Sequence, residues 1–83
     1  MHGMDFNDLH TFCRLAVDGN YRVASEHFHI SQSALTKKIS RLETSCCVVL
    51  FERRRLGASL TAVGAALLPE AQLIVSSLNL INL

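Results

Sequence analysis

The stretch Ser31–Arg55 constrains this chain more than any other part of it. It reads S-Q-S-A-L-T-K-K-I-S-R-L-E, then a short apolar run, then F-E-R-R-R. Leu35, Ile39 and Leu42 recur at spacings of four and three, which is one face of a helix. The remaining surface of that helix holds Gln32, Ser33, Thr36, Lys37, Lys38 and Arg41. A helix that is apolar on one side and polar and cationic on the other suits a DNA major groove. Amides and hydroxyls read base edges there, and cations meet phosphates.

The charge distribution agrees. The formal net charge of the 83 residues is only +1, but six of the eight basic residues fall between Lys37 and Arg55. Within that span only Glu43 and Glu52 oppose them, and the other acids lie outside it. Such segregation makes a basic face on a nearly neutral protein. Eighty-three residues allow one small domain, and 49% apolar residues suffice for a core without disulfides or metal.

Several function classes drop out. Three cysteines, an odd number, argue against a secreted disulfide framework. Cys13 reads as a core residue, and the adjacent Cys46 and Cys47 as tolerated residues of a turn in preference to a redox sensor. The four histidines and three cysteines lack metal-ligand spacing, so neither metal nor cofactor is expected. No paired carboxylates, nucleophile–base pair or phosphate loop suggests an enzyme. No signal peptide is visible, and Leu67–Leu83 is too short and too polar to span a membrane.

Along the chain, Met1–Met4 reads as a leader. Asp5–Asp18 reads as a first helix with Phe6, Leu9, Phe12, Cys13 and Ala16 on its inner face. Gly19 suits its end, and Asn20 can cap a second helix, Tyr21–Phe28, with Tyr21, Ala24 and Phe28 inward. His29 and Ile30 form a tight turn, with Ile30 buried. Ser31 caps the third helix, which runs to about Thr44. Val48–Phe51 favours a strand, Ser59 and Leu60 pair back on it, and Gly57 suits the turn between. Thr61 caps a last helix. The expected fold is mainly α: a winged helix-turn-helix over 5–60, with the helix-turn-helix at about 21–40, then a linker helix over 61–83.

That last helix carries Glu70 as its only charge. Leu67, Ala71, Ile74, Leu78 and Ile81 follow spacings of 4, 3, 4 and 3, the seam of a coiled coil, and Leu73 and Leu80 widen it. Pro69 is expected to bend the helix near its start. The expectation is a homodimer or larger assembly joined through this seam, placing two DNA-facing helices on an inverted repeat.

From Met4 onward the chain resembles the N-terminal DNA-binding domain of LysR-type transcriptional regulators. The residues that carry the resemblance are Leu9, Phe12, Gly19, Tyr21, Ala24 and Ser25, then I-S-Q-S-A-L-T-K-K-I-S-R-L-E (30–43), L-F-E-R (50–53) and L-T-x-x-G-x-x-L-L (60–68). The resemblance implies a bacterial, cytoplasmic, nucleoid-associated regulator that binds double-stranded DNA in a sequence-specific way. It implies that the third helix enters the major groove and that the wing meets the minor groove or backbone. It also implies that an effector ligand binds a larger domain not represented in this sequence. Gln32 is then expected to read adenine, with Ser33, Thr36 and Lys37 on the same face. Ser31 combines cap and phosphate contact, Arg41 is a phosphate or surface ion-pair residue, and at least one of Arg53, Arg54 and Arg55 meets the minor groove or phosphate. Where the family has Pro, this chain has Ser33. Thr36 and Lys37 replace Ser and Arg, and Cys46-Cys47 stands where a residue followed by Gly is usual. The competing reading is a winged helix used for protein–protein interaction, which calls for apolar residues where Gln32, Thr36 and Lys37 point.

Overall fold

The computed structural model describes residues 5–55 and 57–81, with side chains described as far as Leu78. Met1–Met4, read as a leader, and the side chains of Leu80 and Ile81 lie outside the described residues. The chain orders as α1 (Phe6–Asp18), α2 (Tyr21–Phe28), α3 (Gln32–Cys46), β1 (Phe51–Arg54), β2 (Gly57–Leu60) and α4 (Ala62–Ile81).

Each helix start is sealed by a side chain. Asp5 accepts the Asp8 amide at 2.8 Å, and Asp8 reaches back to the Asp5 amide. Asn20 accepts from Val23 at 3.1 Å, Ser31 from Ala34 at 3.0 Å, and Thr61 from Gly64 at 3.1 Å. These contacts satisfy amides that have no partner inside the helix. Gly19 ends α1 in the left-handed conformation, φ 64°. Two non-glycine residues do the same for α2 and α3: His29 at φ 56° and Cys47 at φ 59°. Cys47 stands where the resemblance puts glycine, so α3 ends with glycine's geometry and a side chain that disfavours it.

The core joins Phe12, Leu15, Ala24, Leu35, Ile39, Leu42, Leu50 and Phe51 to Ala71 and Val75 of α4. The inner face of α1 differs from the one read from its spacing. Leu15 and Thr11 are buried, and Phe6 is 38% exposed. The cause is α4, which packs along α1 and covers a second strip of it. Ile30, Tyr21 and Phe28 are half-buried, while Ser25 is buried with its hydroxyl donating to the Arg22 carbonyl at 2.8 Å. Asp18 ties α1 to α2 through Arg14 at 3.2 Å and His27 at 3.0 Å. Burial pushes its carboxyl up, but hydrogen bonds from His27 and Arg14, and their charges, outweigh that and hold it below the usual carboxylate range.

The wing starts later than its strand propensity suggests. Val48–Leu50 precedes the ladder, and β1 begins at Phe51, antiparallel to β2 with Phe51 opposite Leu60, Glu52 opposite Ser59, Arg53 opposite Ala58 and Arg54 opposite Gly57. The reason is Glu43. Its carboxylate, on α3, accepts the amides of Leu50 at 2.7 Å and Phe51 at 3.0 Å, so the Leu50 amide is not available to return the bond that its carbonyl accepts from Thr61. The arginines therefore sit partly within β1, not only at the tip. On the other strand, Ala58 donates to the Gly19 carbonyl at 3.0 Å. A Cβ on Gly57 would lie 2.3 Å from that same oxygen, so the strand touches the α1–α2 turn backbone to backbone.

The start of α4 is fastened to the wing. The Thr61 hydroxyl donates to the Val49 carbonyl at 2.6 Å, and a Cβ on Gly64 would lie 2.4 Å from the Leu50 oxygen. The helix continues through Pro69. The seam expected on α4 does not lie on one free face. Ala71 is buried in the protomer's own core, Leu67 and Leu78 are half-buried, and Ile74 is 46% exposed. The helix docks on α1 through the face that carries Ala71 and Val75, which leaves Ile74 at the edge of the contact. The outward apolar residues are Leu73, Ile74 and, one end nearer, Val63.

Candidate nucleic-acid interface

The N-terminal half of α3 leaves the core with a polar face. Ser31, Gln32, Ser33, Lys37 and Arg41 are exposed and Thr36 is half-buried. This distribution follows from the apolar stripe, because Leu35, Ile39 and Leu42 hold the opposite face against α1 and α2. Ser31 is committed to its cap and also lies 3.2 Å from the Ser33 hydroxyl. Lys38, half-buried, borders a cleft with Asp8 and Arg41 at the back of the helix, away from the front turn.

The three arginines of the wing divide. Along β1, residues two apart share a face, and Phe51 faces the core. Arg53 therefore emerges toward α2 and α3. Its Nη2 donates to Thr36 Oγ1 at 2.8 Å, and its guanidinium carbon lies 4.3 Å from the centroid of the Tyr21 ring. Arg54 points the other way, donating to Glu52 at 2.7 Å and Ser59 at 3.0 Å. Arg55 is exposed at the tip, with no side-chain hydrogen bond or ion pair among the described residues.

Two clefts border Arg53. One, of roughly 290 Å³, lies between the wing and the start of α2 and is lined by Asn20, Tyr21, Arg54, Arg55 and Gly57. The other, of roughly 380 Å³, lies against Gln32, Ser33, Thr36 and Lys37. The wing and the front of α3 thus make one continuous surface. Glu43, one of two acids inside the basic segment, is turned inward to the Leu50 and Phe51 amides, and Glu52 is paired with Arg54. Both acids of the basic segment are thus engaged within the protein, while Lys37 and Arg41 remain exposed.

Residues 6–65 match the family model described as bacterial regulatory helix-turn-helix protein, lysR family. The chain belongs to the LysR family. Among curated relatives, the HTH-type transcriptional regulator ClcR of Pseudomonas putida is 42% identical over 69 residues, covering 83% of this chain and 24% of ClcR. YdcI of Escherichia coli, an uncharacterized HTH-type transcriptional regulator, is 39% identical over 71 residues, covering 86% and 23%. The chain spans about a quarter of the length of these relatives, all named as regulators and none as an enzyme. Among solved structures, the CbnR DNA-binding domain in its DNA complex superposes with a TM-score of 0.86 at 35% identity, covering 95% of this chain and 91% of that one. Corynebacterium glutamicum OxyR superposes at 0.91 with 27% identity, covering 98% and 26%. The winged helix-turn-helix followed by a long helix is therefore the LysR arrangement.

Within this LysR-family domain the structure brings Gln32, Ser33, Thr36, Lys37 and Arg53 to one cleft. It sets Arg41 further along α3, near Asn7 and Asp8, and it separates Arg54 from that cleft. Tyr21, read from its spacing as a core residue, is half-buried and supports Arg53. Glu43, read as a residual opposing charge, ties α3 to the wing. Neither role has a local signal, because the partners are 32 and 7–8 residues away in sequence. Burial pushes the Cys46 thiol up, with Asp8 and Cys47 adding to it, which works against thiolate chemistry there. Among the described residues no cluster of three metal-ligating side chains exists, and no helix is long and apolar enough to cross a membrane.

Proposed function

We propose that this chain is the DNA-reading domain of a bacterial LysR-type transcriptional regulator. In this reading α3 enters the major groove with Gln32, Ser33, Thr36 and Lys37 toward base edges. Ser31 and Arg41 meet phosphates, and the wing follows the adjacent minor groove or backbone. The observation that carries it is the joint surface of α3 and the wing, where Arg53 reaches Thr36 at 2.8 Å beside exposed Gln32 and Lys37. Those positions are polar, whereas a protein-docking winged helix needs them apolar. The likeness to a DNA-bound CbnR domain over nearly the whole chain supports the same reading. The test is fluorescence anisotropy with a duplex selected from a random pool by the protein, against a scrambled duplex of equal length. Preference for the selected duplex that weakens with salt is expected. Equal binding of the two, or none, refutes sequence-specific recognition.

The same proposal covers assembly and placement. Two copies join through the outward strip of α4, where Leu73 is 69% and Ile74 46% exposed, and address an inverted repeat. Exposed leucine and isoleucine on a helix almost without charge favour burial, each worth roughly 1.5–3 kcal/mol. Light scattering at micromolar concentration checks this. The wild type is expected to be a dimer or larger, and Leu73→Asp/Ile74→Asp a monomer. A monomeric wild type refutes it, and a dimeric variant moves the interface elsewhere. An effector is sensed outside these 83 residues, and the regulator works in the bacterial cytoplasm at the nucleoid.

A further inference from the structure

Arg53 differs from every other cation on this surface because one side chain joins three elements. It stems from β1, lies over Tyr21 at the first turn of α2, and hydrogen-bonds Thr36 on α3. A guanidinium over an aromatic face is held by the ring's negative face. Its in-plane N–H groups remain directed sideways, and one of them meets the Thr36 hydroxyl. Arg53 is thus engaged within the protein before any DNA arrives, whereas Arg55 has no side-chain partner among the described residues.

We infer that Arg53 is a positioning residue, which locks the wing to α3 and orients the Thr36 hydroxyl, and so sets base preference instead of adding general phosphate affinity. With Thr36 Oγ1 accepting from Arg53, the hydroxyl proton points away from the guanidinium, and Thr36 meets a base edge as a donor. Guanine N7 and O6, adenine N7 and thymine O4 accept such a proton, and the cytosine amino group does not. Losing Arg53 frees the hydroxyl rotor and lets the wing shift against α3. This inference rests on the proposed docking of α3 in the major groove.

The test measures two duplexes, one selected from a random pool by the wild type and one scrambled, across a salt series. Arg53→Ala and Tyr21→Leu are expected to bind the selected duplex about tenfold more weakly, the size of a lost cation–π contact and its hydrogen bond, and the scrambled one within about twofold of wild type. Their slopes of log affinity against log salt are expected to stay near the wild-type value. Arg55→Ala is expected to weaken both duplexes and flatten the slope by about 0.9. Tyr21→Phe keeps the ring and is expected to match wild type. Arg53→Lys keeps the charge without the flat fork, and guards against misfolding of the alanine variant. It is expected to lose preference with its slope intact. If Arg53→Ala instead behaves like Arg55→Ala, or if Arg53→Lys keeps full preference, the inference is overturned. A wild type that does not distinguish the duplexes overturns the docking on which it rests, and the inference with it.

Discussion

α3 and the wing each bring three cations to the basic face, and they hold them in opposite ways. Among the described residues, Lys37, Lys38 and Arg41 of α3 make no side-chain ion pair or hydrogen bond. In the wing, Arg53 is held by Tyr21 and Thr36 and Arg54 by Glu52 and Ser59, while Arg55 has no such partner among the described residues. The helix can afford loose side chains because its backbone is fixed by a buried stripe of Leu35, Ile39 and Leu42. The wing has two four-residue strands and one fully inward side chain, Phe51. Polar ties to Glu43, Gly19 and Thr36 do for it what apolar burial does for α3. Identical residue types on one surface therefore have different tasks, decided by what lies beside them.

The strongest way to break this contrast is to cut the Glu43 tie. Glu43→Ala leaves the Leu50 and Phe51 amides without their acceptor. Both residues are buried, so a loss of about 2–4 kcal/mol in urea unfolding is expected, from two unsatisfied donors. An unchanged midpoint would show that water replaces the carboxylate and that the wing is held by packing. Next comes the helix. Gln32→Ala is expected to lose about 1–3 kcal/mol on the selected duplex and little on a scrambled one, as measured by anisotropy. Equal losses on both would make Gln32 a backbone contact. A smaller effect sharpens the contrast from the wing side. Glu52→Ala removes the carboxylate that accepts from Arg54, so affinity for any duplex is expected to rise, and the salt slope to steepen by up to about 0.9. No change in slope would place Arg54 out of reach of phosphate. The smallest effect concerns the end of α3. Cys47→Gly relieves a left-handed φ of 59° and is expected to raise stability by about 1 kcal/mol or less, since glycine also gains freedom in the unfolded chain. Thermal melting reads it, and a lower melting temperature would mean that the Cys47 side chain contributes packing.

The elements most legible in the sequence were those whose cause is local. Asn20, Ser31 and Thr61 cap helices because a short polar side chain reaches an amide three residues on. Gly19 ends α1 because the chain must turn left there. The polar front of α3 was legible because Leu35, Ile39 and Leu42 leave it no other side. Where causes are distant, the reading shifted. Val48 and Val49 favour a strand, but a carboxylate from the preceding helix takes the Leu50 amide from the ladder, and β1 starts at Phe51. Tyr21 has the spacing of a core residue and supports an arginine from another element. On α4, leucine and isoleucine at nearly every turn fit more than one face. Docking on α1 selects the one that buries Ala71 and Val75 and turns Leu73 and Ile74 out.

The fastening of α4 to the wing has a mechanical consequence. Thr61 holds the Val49 carbonyl at 2.6 Å, and Gly64 sits so close to the Leu50 carbonyl that a methyl group has no room. Among the described residues, the wing and the 20-residue helix that follows it are joined by these two close contacts, and the helix then packs along α1. Such a helix is about 30 Å long, so a five-degree rotation of the domain with its helix displaces the helix end by on the order of 3 Å. The domain and its last helix turn as one body, clamped at Thr61 and Gly64 and again along α1 at Ala71 and Val75.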